Sequence, residues 1–209
     1  MKHKFLYLLT TLICAVFCAN IATTEATLSR LEEGVLRLHI LANSDSADDQ
    51  ARKLAVRDAL LARSDEWFTD AATREDALYQ LEAHLSQIEA ISMETLQNLG
   101  CSDTVSASIC KADFPSRTYE SVTLPAGEYT ALRIEIGDAA GKNWWCVMYP
   151  SLCVPAAGGD IEQEKTMAAH FDTAVCEMTM HSEEYAIRLK CVEVWRKMKM
   201  RLQNIKLPL

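Results

Sequence analysis

A chain of 209 residues, 49% of them hydrophobic and 24% charged, with only 7 Gly and 5 Pro, is too apolar to stay disordered and fits one globular domain better than two. Its formal net charge of −8 argues against nucleic acid as a partner. Eight cysteines are many for a cytosolic chain of this size, but none shows the paired CxxC spacing of a structural zinc site, so no metal or other cofactor is expected.

Met1-Lys2-His3-Lys4 precedes the run Phe5 to Ala19, which is apolar apart from two Thr, and small residues follow from Ala22 to Ala26. A basic start, an apolar stretch of this length and small residues at a plausible cut are the layout of a secretory signal. Residues 1–26 are therefore expected to be a signal peptide or N-terminal anchor, and residues 27–209 an exported domain. Cleavage and anchoring are both open. A lipid anchor at Cys18 fits less well, because bulky Phe17 stands before it.

Val35 to Leu41 alternates in the manner of a strand, and Asn43-Ser44-Asp45-Ser46 ends it. Ser46 with Asp49 resembles a capping box opening a helix to about Ala62, with Ala51, Leu54, Ala55, Asp58 and Leu61 along one stripe. His39, Asn43, Ser44 and Asp45 thus lie where a strand feeds a helix N-terminus, a place for a cap and turn first and for a site second. Thr73 caps a second helix whose Leu78, Leu81, Leu85, Ile88, Ile91, Leu96 and Leu99 keep helical spacing until Gly100, with His84 beside that stripe and partly exposed.

Val105, Ala107 and Ile109 indicate another strand, stopping before Phe114-Pro115. Phe114 to Gly127 is a loop or short edge strand in which Arg117 and Tyr119 are candidates for surface recognition. Gly127 to Ile136 and Trp144 to Tyr149 then read as two strands of a β-hairpin joined through Gly137, Asp138 and Gly141. Strand alternation sends Trp144 and Trp145 to opposite faces, so one indole is covered either by a helix or by a partner. Cover by the terminal helix, through Trp195 and Met198, is the first expectation.

Residues 155–181 are linker-like and lack a consistent period. The last helix, about Ser182 to Gln203, is expected to turn Ile187, Cys191, Val194, Met198 and Leu202 to the sheet. Seven Lys and Arg against three Glu between Ser182 and Leu209 make this end basic on an otherwise acidic body. Solvated cations are the first reading of that charge, and contact with an anionic membrane surface or an acidic partner the second. The fold class is α+β: a single domain with a mixed or antiparallel sheet, two helices after the first strand and a C-terminal helix packed on the sheet.

No GxSxG elbow, HExxH, Walker loop or GxGxxG occurs, which removes the usual support for hydrolase, zinc protease and nucleotide-binding readings. Cys146, approached by His39 or His170, is the remaining candidate nucleophile. In an exported protein a Cys146 to Cys153 disulfide is the simpler reading, since six residues separate them. Cys101 with Cys110, and Cys176 with Cys191, are further candidate pairs.

Three stretches carry a resemblance to a known family: LRLHILANSDSADDQARKLAVRD from Leu36, FPSRTYESVTLPAGEYTALRIEIGDAAGKNWWCVMYPSLC from Phe114 and YAIRLKCVEVWRKM from Tyr185. In this order they resemble the stage II sporulation protein R family of endospore-forming bacteria. The resemblance implies a signal rather than an enzyme: a protein made in the forespore, exported into the space between forespore and mother-cell membranes, and needed for a membrane-embedded aspartic protease of the mother cell to process pro-sigma-E. No catalytic residue comes with it. On that reading Trp144, Trp145, Arg117, Tyr119, His39, Asn43 and Asp45 are candidates for contact with the protease. The alternative is an exported hydrolase acting on cell wall or peptide with Cys146 as nucleophile.

Overall fold

Leu36–Leu41 is buried at every residue, so this strand has to lie inside a sheet covered on both faces. In the computed structural model, which describes residues 2–69, 71–152 and 160–204, that is where it lies. Numbered in chain order, β1 (Leu36–Leu41), β2 (Val105–Phe114), β5 (Gly127–Ile136) and β6 (Asn143–Tyr149) form one mixed sheet in the order β2-β5-β1-β6. β3 (Arg117–Tyr119) and β4 (Val122–Leu124) form a separate two-stranded ribbon within the stretch expected to be a loop or edge strand.

The hairpin expected between β5 and β6 is not made. β1 lies between them, parallel to β5 and antiparallel to β6. β5 takes its antiparallel partner from β2 instead, with Ile109 opposite Leu132 and Ala107 opposite Ile134. The central position suits β1 because it is buried on both faces, through Leu36, Leu38 and Ile40 on one and Arg37 and His39 on the other. Skipping a strand means crossing roughly 10 Å, and residues 137–142 do so over the end of β1. Gly141 N–H donates to Ala42 O (2.9 Å), Lys142 N–H to Asp45 Oδ1 (2.7 Å) and Asp138 N–H to Asn43 Oδ1 (2.9 Å).

On one face Leu36, Leu38, Ile40, Leu132, Ile134, Cys146 and Met148 meet α2 (Ala47–Leu61), the short α3 (Ser64–Trp67), α4 (Arg74–Ala83) and α5 (Leu85–Asn98) in the first core. Ser46 caps α2 as expected, accepting from Asp49 N–H at 3.1 Å. Its buried stripe, however, is Asp49, Lys53, Val56 and Leu60 rather than Ala51, Leu54, Ala55, Asp58 and Leu61. The stripe is rotated because Lys53 lays its stem inward and donates to Lys142 O at 2.9 Å, bracing the crossing loop. The long helix expected after Thr73 breaks into α4 and α5 at His84, whose Nδ1 lies 2.7 Å from Gln80 O. More helical segments than two therefore separate β1 from β2.

The opposite face holds a second core around Val35, Phe114, Tyr129, Ala131 and Val147. It is closed by the later half of α1 (Lys2–Gly34), by β3–β4, and by α6 (Asp160–His170), α7 (Thr173–Met180) and α8 (Ser182–Asn204). Most of the span expected to be linker-like is thus two short helices with Met167, Val175 and Met178 fully buried. Each is too short to display a period that sequence can reveal. Pro155 to Gly159 lie outside the described residues.

α8 joins this core through Val192, with Leu189 and Tyr185 against it, and runs along α1 and α7. The stripe expected to face the sheet points outward instead: Ile187, Val194, Met198 and Leu202 are exposed. Cys101, Cys110, Cys176 and Cys191 are free thiols, which overturns the two further pairings. Cys146 is disulfide-bonded; Cys153, its expected partner, lies outside the described residues.

The crossing loop makes a testable demand. A Cβ on Gly141 would sit 2.2 Å from the Ser44 carbonyl oxygen, so Gly141→Ala should cost about 2 kcal/mol or more and lower the melting temperature by several degrees. A variant that melts as the parent does would contradict this path of the loop.

Candidate partner-binding face

The sheet alternation places Arg37 and His39 of β1, Tyr129, Ala131, Arg133 and Glu135 of β5, and Trp145 and Val147 of β6 on the second-core face. Burial there falls off along β5: Tyr129 and Ala131 are fully enclosed, whereas Arg133 and Glu135 are half-buried. The exposed end has one row of register partners, Ser108, Arg133, His39 and Trp145, across four strands.

Beneath this row Arg37 is fully buried. Its guanidinium lies 4.2 Å from the centre of the Phe114 ring, 4.9 Å from Tyr129 and 5.8 Å from Tyr119. Nη2 donates to Tyr119 Oη at 2.7 Å and Nε to Cys146 O at 3.4 Å. Among the described residues it takes part in no ion pair, and burial lowers its pKa from the ordinary value. A cation held this way depends on aromatic faces, which favour a planar guanidinium over an ammonium. Tyr119 passes the contact on, donating to Trp145 O at 3.3 Å.

Trp145 stands over the Arg37 layer. His39 stacks on it, with ring centres 6.0 Å apart and 23° between planes, and Arg117 covers it at 4.7 Å. His39 also meets the Phe114 edge at 5.8 Å. Four of the residues chosen from sequence, Trp145, Arg117, Tyr119 and His39, thereby form one cluster. Arg117 is exposed and Trp145 half-buried. Beside them Arg133 Nη2 pairs with Glu135 Oε1 at 2.7 Å. An amphipathic indole rimmed by arginines and a carboxylate is the composition of a protein-binding surface rather than of a catalytic pocket.

The other chosen residues lie elsewhere. Trp144 enters the first core, with Arg57 4.3 Å over its ring. Asn43 and Asp45 are occupied by the crossing loop, and Asn43 Nδ2 and Ser44 Oγ also donate to Asp49 Oδ2, at 3.1 and 2.5 Å. Those bonds, Ser44's first, hold the Asp49 carboxyl below the usual carboxylate range. The junction is a cap and a brace.

Sequence reasoning passed over Arg37, Phe114 and Arg133. The signal for Arg37 was present in a lone Arg inside an otherwise apolar central strand. A separate groove of about 1130 Å³ opens between α8, α1 and the far end of the sheet. Part of its charged lining is paired, as in Glu32 with Arg196 at 2.8 Å and Lys111 with Glu128 at 3.3 Å.

Burial lowers the His39 pKa below its ordinary value, so His39 is neutral at pH 7. As pH falls through about 6.5 the unfolded chain takes up a proton that the folded one refuses, and stability is lost. Thermal melts should therefore show stability declining below pH 6.5, with the decline reduced in His39→Phe. An unchanged pH slope in that variant would contradict the placement of His39.

Residues 32–158 match the family model described as stage II sporulation protein R. Over 123 residues the chain is 39% identical to Stage II sporulation protein R of Bacillus subtilis (strain 168), an alignment covering 59% of this chain and 55% of that protein. The chain thus spans about half the length of the curated relative it matches. No solved structure matches it.

Proposed function

Because the chain belongs to the stage II sporulation protein R family, with its role in sporulation, we propose that it is the intercellular signal of endospore formation: an exported protein of the forespore that activates the mother-cell membrane aspartic protease responsible for processing pro-sigma-E. The observation that carries this reading is the extent of the family match. Residues 32–158 include every strand of both sheets and with them the whole Trp145 face. The match thus spans the sheet and its exposed end, the part of the chain on which this reading places the partner.

α1 supports export. Phe5 to Phe17 is helical with its large apolar side chains exposed, and the helix is long and apolar enough to cross a membrane. The competing hydrolase reading needs a thiolate at Cys146, but that sulfur is bound in a disulfide. The role assigned to the Trp145 face is contact with the extracytoplasmic part of the protease, Arg117 and Arg133 facing acidic groups and Trp145 an apolar one.

Two variants separate contact from support. Arg117→Glu in sporulating cells should reduce pro-sigma-E processing roughly tenfold or more while the purified protein melts within about 2 °C of the parent. Trp144→Ala should instead lose about 3 kcal/mol of stability and reach its compartment in smaller amounts. If Arg117→Glu, present at the parental level, processes pro-sigma-E as the parent does, this face is not the contact.

A further inference from the structure

α1 is one continuous helix with two unlike halves. Between Phe5 and Phe17 it exposes nine large apolar side chains, whereas Thr24, Thr27, Leu28 and Leu31 are buried in the domain. α8 lies antiparallel to the packed half. Arg196 Nη1 bonds both Glu32 carboxylate oxygens at 2.8 and 3.0 Å, and Lys199 Nζ bonds Glu25 Oε1 at 2.8 Å. Arg196 also reaches Ser29 Oγ at 3.2 Å, so the register of the two helices is fixed at several points.

That register sets a direction. One turn beyond Lys199, at a rise of roughly 1.5 Å per residue, Leu202 lies level with the segment of α1 that leads into the apolar run. Val194, Trp195, Met198 and Leu202 fall on one helical stripe, and all are exposed. The stripe faces away from Val192, Leu189 and Tyr185, which pack on the body. Exposed Lys190 and Lys197, which share the Glu193 carboxylate at 2.7 Å each, lie on one side of it, and Lys199, 43% exposed and paired with Glu25, on the other. An apolar stripe with a tryptophan, flanked by cations, at the end of the molecule from which a membrane-length helix emerges, is the arrangement of a helix lying in a bilayer interface.

We propose that the C-terminal half of α8 docks on the anionic phospholipid surface of the same membrane that receives α1. The stripe enters the headgroup boundary, Trp195 occupies the interfacial depth that indoles prefer, and Lys190 and Lys197, two cations against the single Glu193 carboxylate, meet lipid phosphates. With α1 anchored and α8 laid beside its exit, the domain is held in a defined orientation to the membrane rather than swinging on a single helix.

The test uses the full chain reconstituted into vesicles containing bromine-labelled acyl chains, either pure phosphatidylcholine or with roughly a third phosphatidylglycerol. Of the four tryptophans, Trp67 is fully buried and Trp144 and Trp145 belong to the sheet, so Trp195 is the one within reach of lipid. Tryptophan emission should be quenched at least twofold more in the anionic vesicles. The quenching should disappear in Trp195→Phe and fall in Met198→Asp with Leu202→Asp, whose far-ultraviolet circular dichroism should match the parent because both residues are exposed.

Equal quenching in Trp195→Phe and the parent would overturn the proposal. Equal quenching in neutral and anionic vesicles would overturn the assignment to anionic lipid, and a stripe-dependent crosslinked dimer without quenching would assign the face to a second copy instead. The readout contains no protease, so its failure leaves the signalling reading untouched.

Discussion

A buried guanidinium with no carboxylate paired to it among the described residues is the constraint on which the candidate face depends. Arg37 sits in the central strand, and desolvating its charge would cost several kcal/mol if nothing compensated it. Phe114 from β2, Tyr119 from β3 and Tyr129 from β5 surround it, and the Cys146 carbonyl of β6 accepts from it. One side chain thereby joins the sheet to the β3–β4 ribbon. Without that cation, β3 keeps the weaker Tyr119 bond to the Trp145 carbonyl and the Arg117 contact over the indole. Arg117, at the start of β3, is positioned over Trp145 through the same link.

The sheet divides the protein into two cores of different character. The first, against α2, α4 and α5, is mostly aliphatic around the buried Trp67 and holds Trp144 as one of its packed edges. The second contains the aromatic and cationic layer and depends on elements distant in sequence, from α1 to α8. Ion pairs reinforce its outer wall: Arg30 with Asp172 at 2.9 Å ties α1 to the cap of α7, and Arg196 ties α8 to α1. Exposed pairs such as the first contribute little singly. Their use is to fix the relative register of three helices, and with it the direction in which the apolar half of α1 leaves the domain.

What could be read from the residues followed from local period and turn chemistry. β1, β2, α2 and its Ser46 cap, the helical stretch after Thr73 and the opposite facing of Trp144 and Trp145 all have such signals. What could not be read was pairing between distant segments. β5 and β6 are neighbours in sequence with turn residues between them, the local signature of a hairpin, and only the demand of β1 for a central place separates them. The stripe of α8 expected on the sheet faces outward, and Val192, Leu189 and Tyr185 pack in its place, because apolar periodicity says only that a face is distinct, not whether protein, lipid or solvent meets it. For Trp145, cover came from Arg117 and His39 rather than from Trp195 and Met198, because a β3–β4 ribbon too short to show a strand period stands where a helix was expected.

Arg37 holds the ribbon, and through it the Trp145 face, in place. Amide hydrogen exchange of Arg37→Met measures this most directly, since Met keeps most of the side-chain volume while removing the cation and its hydrogen bonds. Protection should be lost at Arg117 to Leu124 while β1, β5 and the first core stay protected. Protection of the ribbon equal to that of the parent would show that it is held by Val122 and Leu124 alone, and that the aromatic cage around Arg37 does not organise this face.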